Sequence, residues 1–397
     1  MDRIRKIFET FHHARDRIEI PLETVRRDLA RFEGRIVLYG AGSAGIAFLH
    51  ILRRAGIHPC NFSDGDPSKW GTWVEALEIV PPADIVPRCG EAALVIVTIN
   101  TDGRRYCKSF DEALRIGGHT AVHRMLSGYG CRHVIDYTFF RRCHVLFEQE
   151  AFNLPSCSDV SLMCSHQHEI EEVYTYLSDE KSRDVFSSIV MFRLMDDSLT
   201  VPTEPQDNQY FETELVPMGR DEVFVDCGAF DGISLRTFLD RSHGCFEGYH
   251  GIEPDKANFT RLSAYAGTLP IGWQSRLHLY NAAAYSHHDG VTLYRLGGPG
   301  SFVSDHGNES VDTVMLDELL QDQPVSYIKM NIEGSELAAL KGAEQILRSR
   351  NPKLAIAGYH RTEDLWAIPL QIVRCRPNCR LMLRSYMNHI SFVYYAI

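Results

Sequence analysis

Apolar positions at the start of the chain recur at helical spacing. Ile4, Ile7, Phe8, Phe11 and Ile18 form one stripe, Leu22, Val25, Leu29 and Phe32 a second, with Pro21 between them. They predict two helices over residues 1–33 that cover a core or a partner subunit, and a homodimer is one arrangement that suits them. From Arg35 the period changes. A short apolar strand (35–39), a glycine-rich turn, a helix (43–55) and strands near 59–63 and 94–99 follow one another, which implies a parallel sheet. This first unit is placed at residues 1–145. Residues 146–207 read as a mainly helical connector, marked by Ile170, Val173, Tyr174 and Leu177, then by Val185, Ile189 and Phe192.

After residue 207 the alternation restarts. Strands are expected at 222–227, 247–252, 277–281, 325–331 and 353–358, and helices at 233–241, 256–265, 312–321 and 335–349. Two last extended runs, 380–385 and 391–396, have no helix between them and read as an antiparallel hairpin on the sheet edge. The expected fold class is therefore α/β, with two Rossmann-like doubly wound domains, the second at 208–397.

Composition narrows the function classes. The net charge is −11 and no basic run occurs, which argues against nucleic acid as the main partner. The first residues form a charged amphipathic stretch without a secretory apolar core, and the longest apolar run, Ala92 to Ile99, is too short to span a bilayer, so no membrane partner is expected. Eleven scattered cysteines without a Cys-x-x-Cys pair suit the reduced thiols of the cytoplasm. Cys157, Cys164, His166 and His168 lack the paired spacing of zinc sites. They read as a polar loop entering a helix, and no metal is assigned.

Two glycine turns carry the candidate chemistry. In the first unit, Gly40, Gly42 and Gly45 form Gly-x-Gly-x-x-Gly between a strand and a helix, with Asp64 where a ribose-binding acid belongs. The surrounding segment 61–71 resembles N-terminal domains of sugar-modifying enzymes that hold nucleotide-sugars, and it also fits NAD-binding units. Either it binds a nucleotide or nucleotide-sugar, or it is a domain kept for packing or dimerisation. In the second unit, Asp226-Cys227-Gly228-Ala229-Phe230-Asp231-Gly232 follows a Val-Phe-Val strand. Its two acids would repel a pyrophosphate and suit a cationic ligand group. Glu253-Pro254 closes the next strand, where an acid can accept hydrogen bonds from both ribose hydroxyls. Lys329, Asn331, Glu333 and Glu336 cluster at the end of the strand 325–331, and His360 at the end of the one after it, all on the sheet edge where open α/β folds bind ligands.

From about Asn208 onward these residues resemble the FkbM family of methyltransferases. The likeness rests on Gln209-Tyr210-Phe211, Asp226 to Ala229, Ile252-Glu253-Pro254, Asn281-Ala282-Ala283, Leu316 to Leu320, Ile328-Lys329, Glu333-Gly334, Glu336, Lys341-Gly342-Ala343 and Tyr359-His360. Five parallel strands closed by a hairpin is also the layout of Rossmann-like methyltransferases. The resemblance implies S-adenosylmethionine as cofactor, with its amino and sulfonium groups as the cation, held by residues 226 and 228–232, Glu253, Pro254, Asn281 and Ala282. It implies O-methylation of a hydroxyl on a sugar, glycan or other small-molecule acceptor. His360 is the preferred general base because imidazole titrates near neutrality, with Lys329, Glu333 and Glu336 as rivals. The family's usual Asp is Asn331 here, so this residue either only positions substrate or lowers activity. The alternatives are an NAD-dependent oxidoreductase working through the first glycine turn, and a non-catalytic nucleotide-binding scaffold.

Overall fold

The computed structural model describes residues 2–99, 107, 109–116, 120–147, 159–195, 201–294, 302–303, 309–387 and 391–397. Two compact units emerge. One holds residues 6–165 and 190–199, the other residues 1–5, 166–189 and 200–397. The chain thus enters each unit more than once, where the sequence suggested a single passage through a connector. Cys157 lies outside the described residues. Cys164 sits in the helix Val160–Ser165, and His166 stacks on Trp366 at 5.1 Å between ring centroids. No described helix is long and apolar enough to cross a membrane.

The first unit contains β1 (Ile36–Tyr39), β2 (Asn61–Ser63), β3 (Trp73–Val74), β4 (Leu77–Val80), β5 (Leu94–Val97) and β6 (His133–Asp136) in the order β3-β4-β2-β1-β5-β6. All neighbours run parallel except the β3–β4 hairpin. β1 and β5 are apolar at every position and buried at every position, as a strand covered on both faces requires. The helix Ser43–Arg54 follows β1 as expected.

The other unit is built on β7 (Val223–Cys227), β8 (Gly248–Ile252) and β9 (Leu277–Tyr280). An insertion follows with β10 (Ala283–Ala284), β11 (Val291–Tyr294), β12 (Phe302–Val303), β13 (Glu309–Val311) and β14 (Thr313–Val314). The sheet is completed by β15 (Tyr327–Met330), β16 (Lys353–Ala357), β17 (Leu381–Met387) and β18 (Ser391–Ala396), in the order β17-β18-β16-β15-β7-β8-β9. Five strands are parallel, and β18 and β17 join antiparallel. The hairpin is not simply appended: β18, buried throughout, lies between β16 and β17. Phe224, Phe238, Tyr249 and Tyr327 pack as a continuous aromatic core against β7.

Two expected helices change. Over 312–321 only Leu316–Leu319 is helical, because Thr313 and Val314 pair with Ala283 and Ala284 as β14. The helix expected over 335–349 is two helices, Glu336–Lys341 and Glu344–Arg350. The second is started from outside: the Asp317 carboxylate accepts from Gln345 N (2.9 Å) and Ile346 N (2.8 Å), capping amides that have no partner within the helix. A further helix, Asp364–Cys375, carries Pro369 inside it.

Candidate functional site

The exits of β7, β8 and β15 meet at the carboxyl edge of the sheet around a cleft of about 470 Å³. Its geometry begins at Gly228. The backbone there has φ +79°, and a Cβ would stand 2.1 Å from the Asn331 carbonyl oxygen, so only glycine lets the turns after β7 and β15 approach this closely. Gly228 N and Ala229 N both donate to Ile252 O, tying the β7 turn to the end of β8. Gly232, also at positive φ, precedes the helix Ile233–Arg241.

Asp226 does not face the cleft. Its side chain is fully buried; Oδ1 accepts from Lys329 Nζ (2.8 Å) and Oδ2 from Tyr249 OH (2.8 Å). The cation it was expected to meet is the protein's own lysine. Asp231 also stays outside the lining, with Oδ1 accepting from Ile233 N and lying 3.7 Å from Arg236. Lys329 spends its three protons on Asp226 Oδ1, Cys227 O (3.2 Å) and Gly228 O (2.8 Å). That makes it a clamp on the β7 turn, not a base.

Glu253 does reach the cleft. Oε2 accepts from Phe230 N (2.9 Å), and Oε1 from Asp255 N (2.9 Å) and Asn258 Nδ2 (3.4 Å). Burial pushes its carboxyl above the usual range, against the pull of the Asp255 and Phe230 amides. A carboxylate has about four lone-pair positions, so capacity remains to accept hydroxyl protons from a ligand. Asn281 acts behind this residue: Nδ2 donates to Glu253 O and Pro254 O, fixing the β8 exit. Of the residues expected to hold a cofactor, Gly228, Phe230, Glu253 and Pro254 line the cleft, whereas Asp226, Ala229, Asp231, Gly232, Asn281 and Ala282 do not.

The β15 exit is wrapped around Glu336, a fully buried carboxylate that accepts from Ile332 N (2.8 Å) and Gly334 N (3.0 Å). His360 lies behind the cleft wall, 4% exposed, with Nδ1 2.9 Å from Glu336 Oε1 and Nε2 3.8 Å from Glu333 Oε1. Burial opposes its charge, but Glu336 and Glu333 outweigh burial and hold the imidazole up at about 9. Those two acids favour the charged imidazolium, and His360 is not among the residues that line the cleft. Glu336, His360 and Asp364 each offer one ligand atom within 4.8 Å of the others, a grouping whose residue types can hold a cation. Here Glu336 faces His360, burial and Glu336 raise the Asp364 carboxyl to about 7, and Asp364 accepts from Arg361 N (2.7 Å).

Asn331 and Glu333 do line the cleft. Asn331 Oδ1 accepts from Tyr359 OH (3.0 Å), which leaves the amide Nδ2 as its donor. Glu333 is partly exposed, and burial raises its carboxyl above the usual range. Three non-glycine residues of the lining hold positive φ: Tyr210 (+67°), Phe230 (+51°) and Glu333 (+54°). Such backbone costs of order 1–3 kcal/mol per residue and persists where the surroundings impose it, often at functional sites.

Sequence reasoning gave no role to Tyr210, Asn258 or Ser335, all of which line the cleft. Tyr210 is set by its backbone: its N–H donates to Tyr395 OH, its carbonyl accepts from Tyr327 OH, and its hydroxyl lies 3.5 Å from that of Tyr359. Membership of the Gln209-Tyr210-Phe211 triplet was the available signal. Ser335 is 5% exposed, and its position one residue before a short helix gave none.

In the other unit the glycine turn packs closely against the helix that follows it. A Cβ on Gly45 would stand 1.9 Å from Gly40 O, so the helix can press against the turn only without one. A Cβ on Gly42 would meet nothing within 4 Å. Asp64, expected to meet a ribose, accepts from Ala41 N (2.8 Å), pairs with Lys69 (3.0 Å) and takes Asp66 N (2.9 Å). Its carboxylate is thus bound to the turn itself.

Comparison with known proteins agrees with the fold. Residues 226–380 match the methyltransferase FkbM domain. The solved structure of an FkbM methyltransferase from Methylobacillus flagellatus is 22% identical, covers 99% of this chain and 100% of that one, and superposes with a TM-score of 0.68. That likeness shows a shared fold along the whole length. Fibrillarin from Aeropyrum pernix, solved with natively bound S-adenosyl-L-methionine, is 8% identical over 48% of this chain and 76% of its own, at a TM-score of 0.31. A putative rRNA-methylase from Clostridium thermocellum is 10% identical over 50% of this chain and 97% of its own, at 0.33. No protein of curated function matches the sequence. Within the C-terminal half, residues 226–380 thus carry the pattern of a methyltransferase FkbM domain.

Proposed function

We propose that the C-terminal domain binds S-adenosylmethionine in the cleft and methylates a hydroxyl of a small-molecule acceptor, a sugar or secondary-metabolite scaffold among them. The observation that carries this reading is Glu253, set in the cleft at the exit of β8 beside the Gly228 turn, within a domain of this family. The donor set suits the cofactor: a carboxylate with lone pairs for the ribose diol, the Phe230 ring and Pro254 for its apolar parts, and Asn258 for a polar edge. When bound, S-adenosylmethionine supplies an electrophilic methyl group on a sulfonium.

The chain's own residues do the rest. Glu333 accepts the acceptor's hydroxyl proton, since a carboxyl raised by burial is a better base than an exposed one. His360, charged and behind it, balances the Glu333 carboxylate before the proton arrives. Asn331, held by Tyr359, offers an N–H to an oxygen of the acceptor. Holding the hydroxyl in line is worth more than any one of these groups, because orientation alone can lower the barrier by about 7–11 kcal/mol. No observation favours hydride chemistry in the N-terminal unit. Calorimetric titration of the full chain with S-adenosylmethionine, and separately with NAD and UDP-sugars, tests the reading. Saturable one-to-one binding of the first is expected, and a folded protein that does not bind it would overturn the proposal.

A further inference from the structure

The N-terminal unit brings two cysteines together away from the glycine turn. Cys60 leads into β2, where its N–H donates to Ile36 O (2.8 Å) and its sulfur lies 3.3 Å from the same oxygen. Cys89 ends the short helix Ile85–Cys89. Their sulfur atoms lie 3.8 Å apart in a thiol–thiol hydrogen bond, and both residues are partly exposed, so a small reagent can reach them. Closing this gap to the ~2.05 Å of a disulfide requires movement on one side. Gly90, at φ +81°, follows Cys89 directly and gives the end of that helix the freedom to shift.

We infer that Cys60 and Cys89 are a modification site that forms a reversible disulfide with a small-molecule disulfide as oxidant. The chemistry has a direction. The hydrogen bond from Cys60 pulls the Cys89 thiol down to about 7 against burial, with Arg88 assisting, while Cys60 is pushed well up. Cys89 is therefore the thiolate that attacks first. It displaces one thiolate from the oxidant, which takes a proton from water, and becomes a mixed disulfide. Cys60 then gives its proton to solvent, attacks Cys89 Sγ and expels the second thiolate. Two protein thiols are oxidised by two electrons, and one small disulfide is reduced to two thiols.

The test equilibrates the full chain in glutathione buffers from reducing to oxidising, followed by acid quench, alkylation and peptide mapping. The expected result is a peptide joining Cys60 to Cys89, with the loss of two alkylatable thiols per chain and full recovery in dithiothreitol. Cys60→Ser should stop at a glutathione adduct on Cys89. Alkylation of both residues at every buffer ratio, or a crosslink from Cys89 to a different cysteine, would overturn the inference. The map of the unmutated chain decides the matter even where a variant fails to fold.

Discussion

Replacing Lys329 with methionine isolates the clamp on the β7 turn. The side chains of Lys329 and Asp226 are 2% and 0% exposed, so the substitution leaves a carboxylate buried with only the Tyr249 hydroxyl for a partner. It also strips a donor from Cys227 O and Gly228 O. Breaking a buried pair from one side costs about 3–5 kcal/mol, chiefly because of the uncompensated charge. For a unit of this size each kcal/mol lowers Tm by roughly 2–4 °C, so a fall of roughly 6–20 °C is expected in the transition of the C-terminal domain. Adding Asp226→Asn removes the stranded charge and should restore more than half of the loss. Differential scanning calorimetry of the two single variants and the double variant completes the cycle. A Lys329→Met cost below about 1 kcal/mol, or a double variant no better than the single, would refute the claim that Asp226 and Lys329 stabilise each other.

Three other outcomes are expected. Glu253→Ala should weaken S-adenosylmethionine binding by roughly 10–100-fold per lost charged hydrogen bond while the protein stays folded, and unchanged affinity by calorimetry would move the ribose elsewhere. Glu333→Gln should lower turnover by about 10²–10⁴-fold with cofactor affinity intact, measured on any hydroxylated acceptor found by radiolabelled methyl transfer; normal turnover would take the base away from Glu333. His360 has its folded-state pKa raised to about 9 from 6.5, so its contribution is fully present below pH 6.5 and is lost as pH rises through 9. Stability of the domain should fall by something on the order of 3 kcal/mol over that window, and a pH–Tm profile that stays as steep in His360→Gln would assign the loss to another group.

The sheets were legible because buried parallel strands are short apolar runs bounded by glycine and polar residues, as at Ile36–Tyr39 and Val223–Cys227. The helix Ile233–Arg241 falls where its spacing placed it. Helix Asp364–Cys375 was missed because Pro369 reads as a breaker, although its neighbours bury it. Residues 312–321 misled because Leu316, Leu319 and Leu320 carry helical spacing, while the strand pairing that claims 313 and 314 lies thirty residues upstream. In the site, the motifs pointed to the carboxyl edge of the sheet, but not to which residues line the cleft or which partners each one takes. The partner of Asp226 is 103 positions away, and His360 owes its charge to two acids on another turn. Spacing along a chain carries no trace of such pairings, and they decide which acid meets a ligand and which imidazole can take a proton.

The position of β18 constrains how this domain can be made. The strand latest in chain order is not at the rim but between β16 and β17, where it hydrogen-bonds on both sides. Until a growing chain has delivered residue 396, β16 presents an open apolar edge, and the helices and turns of the cleft rest on an unfinished sheet. Contacts of such long sequence separation form late and slowly, and exposed edges invite pairing with other chains. Synthesis of this domain thus carries a window of vulnerability that closes only with its final hairpin. A pulse-labelled chain halted before residue 391 should be held by a chaperone or aggregate, where the same chain extended past 397 folds.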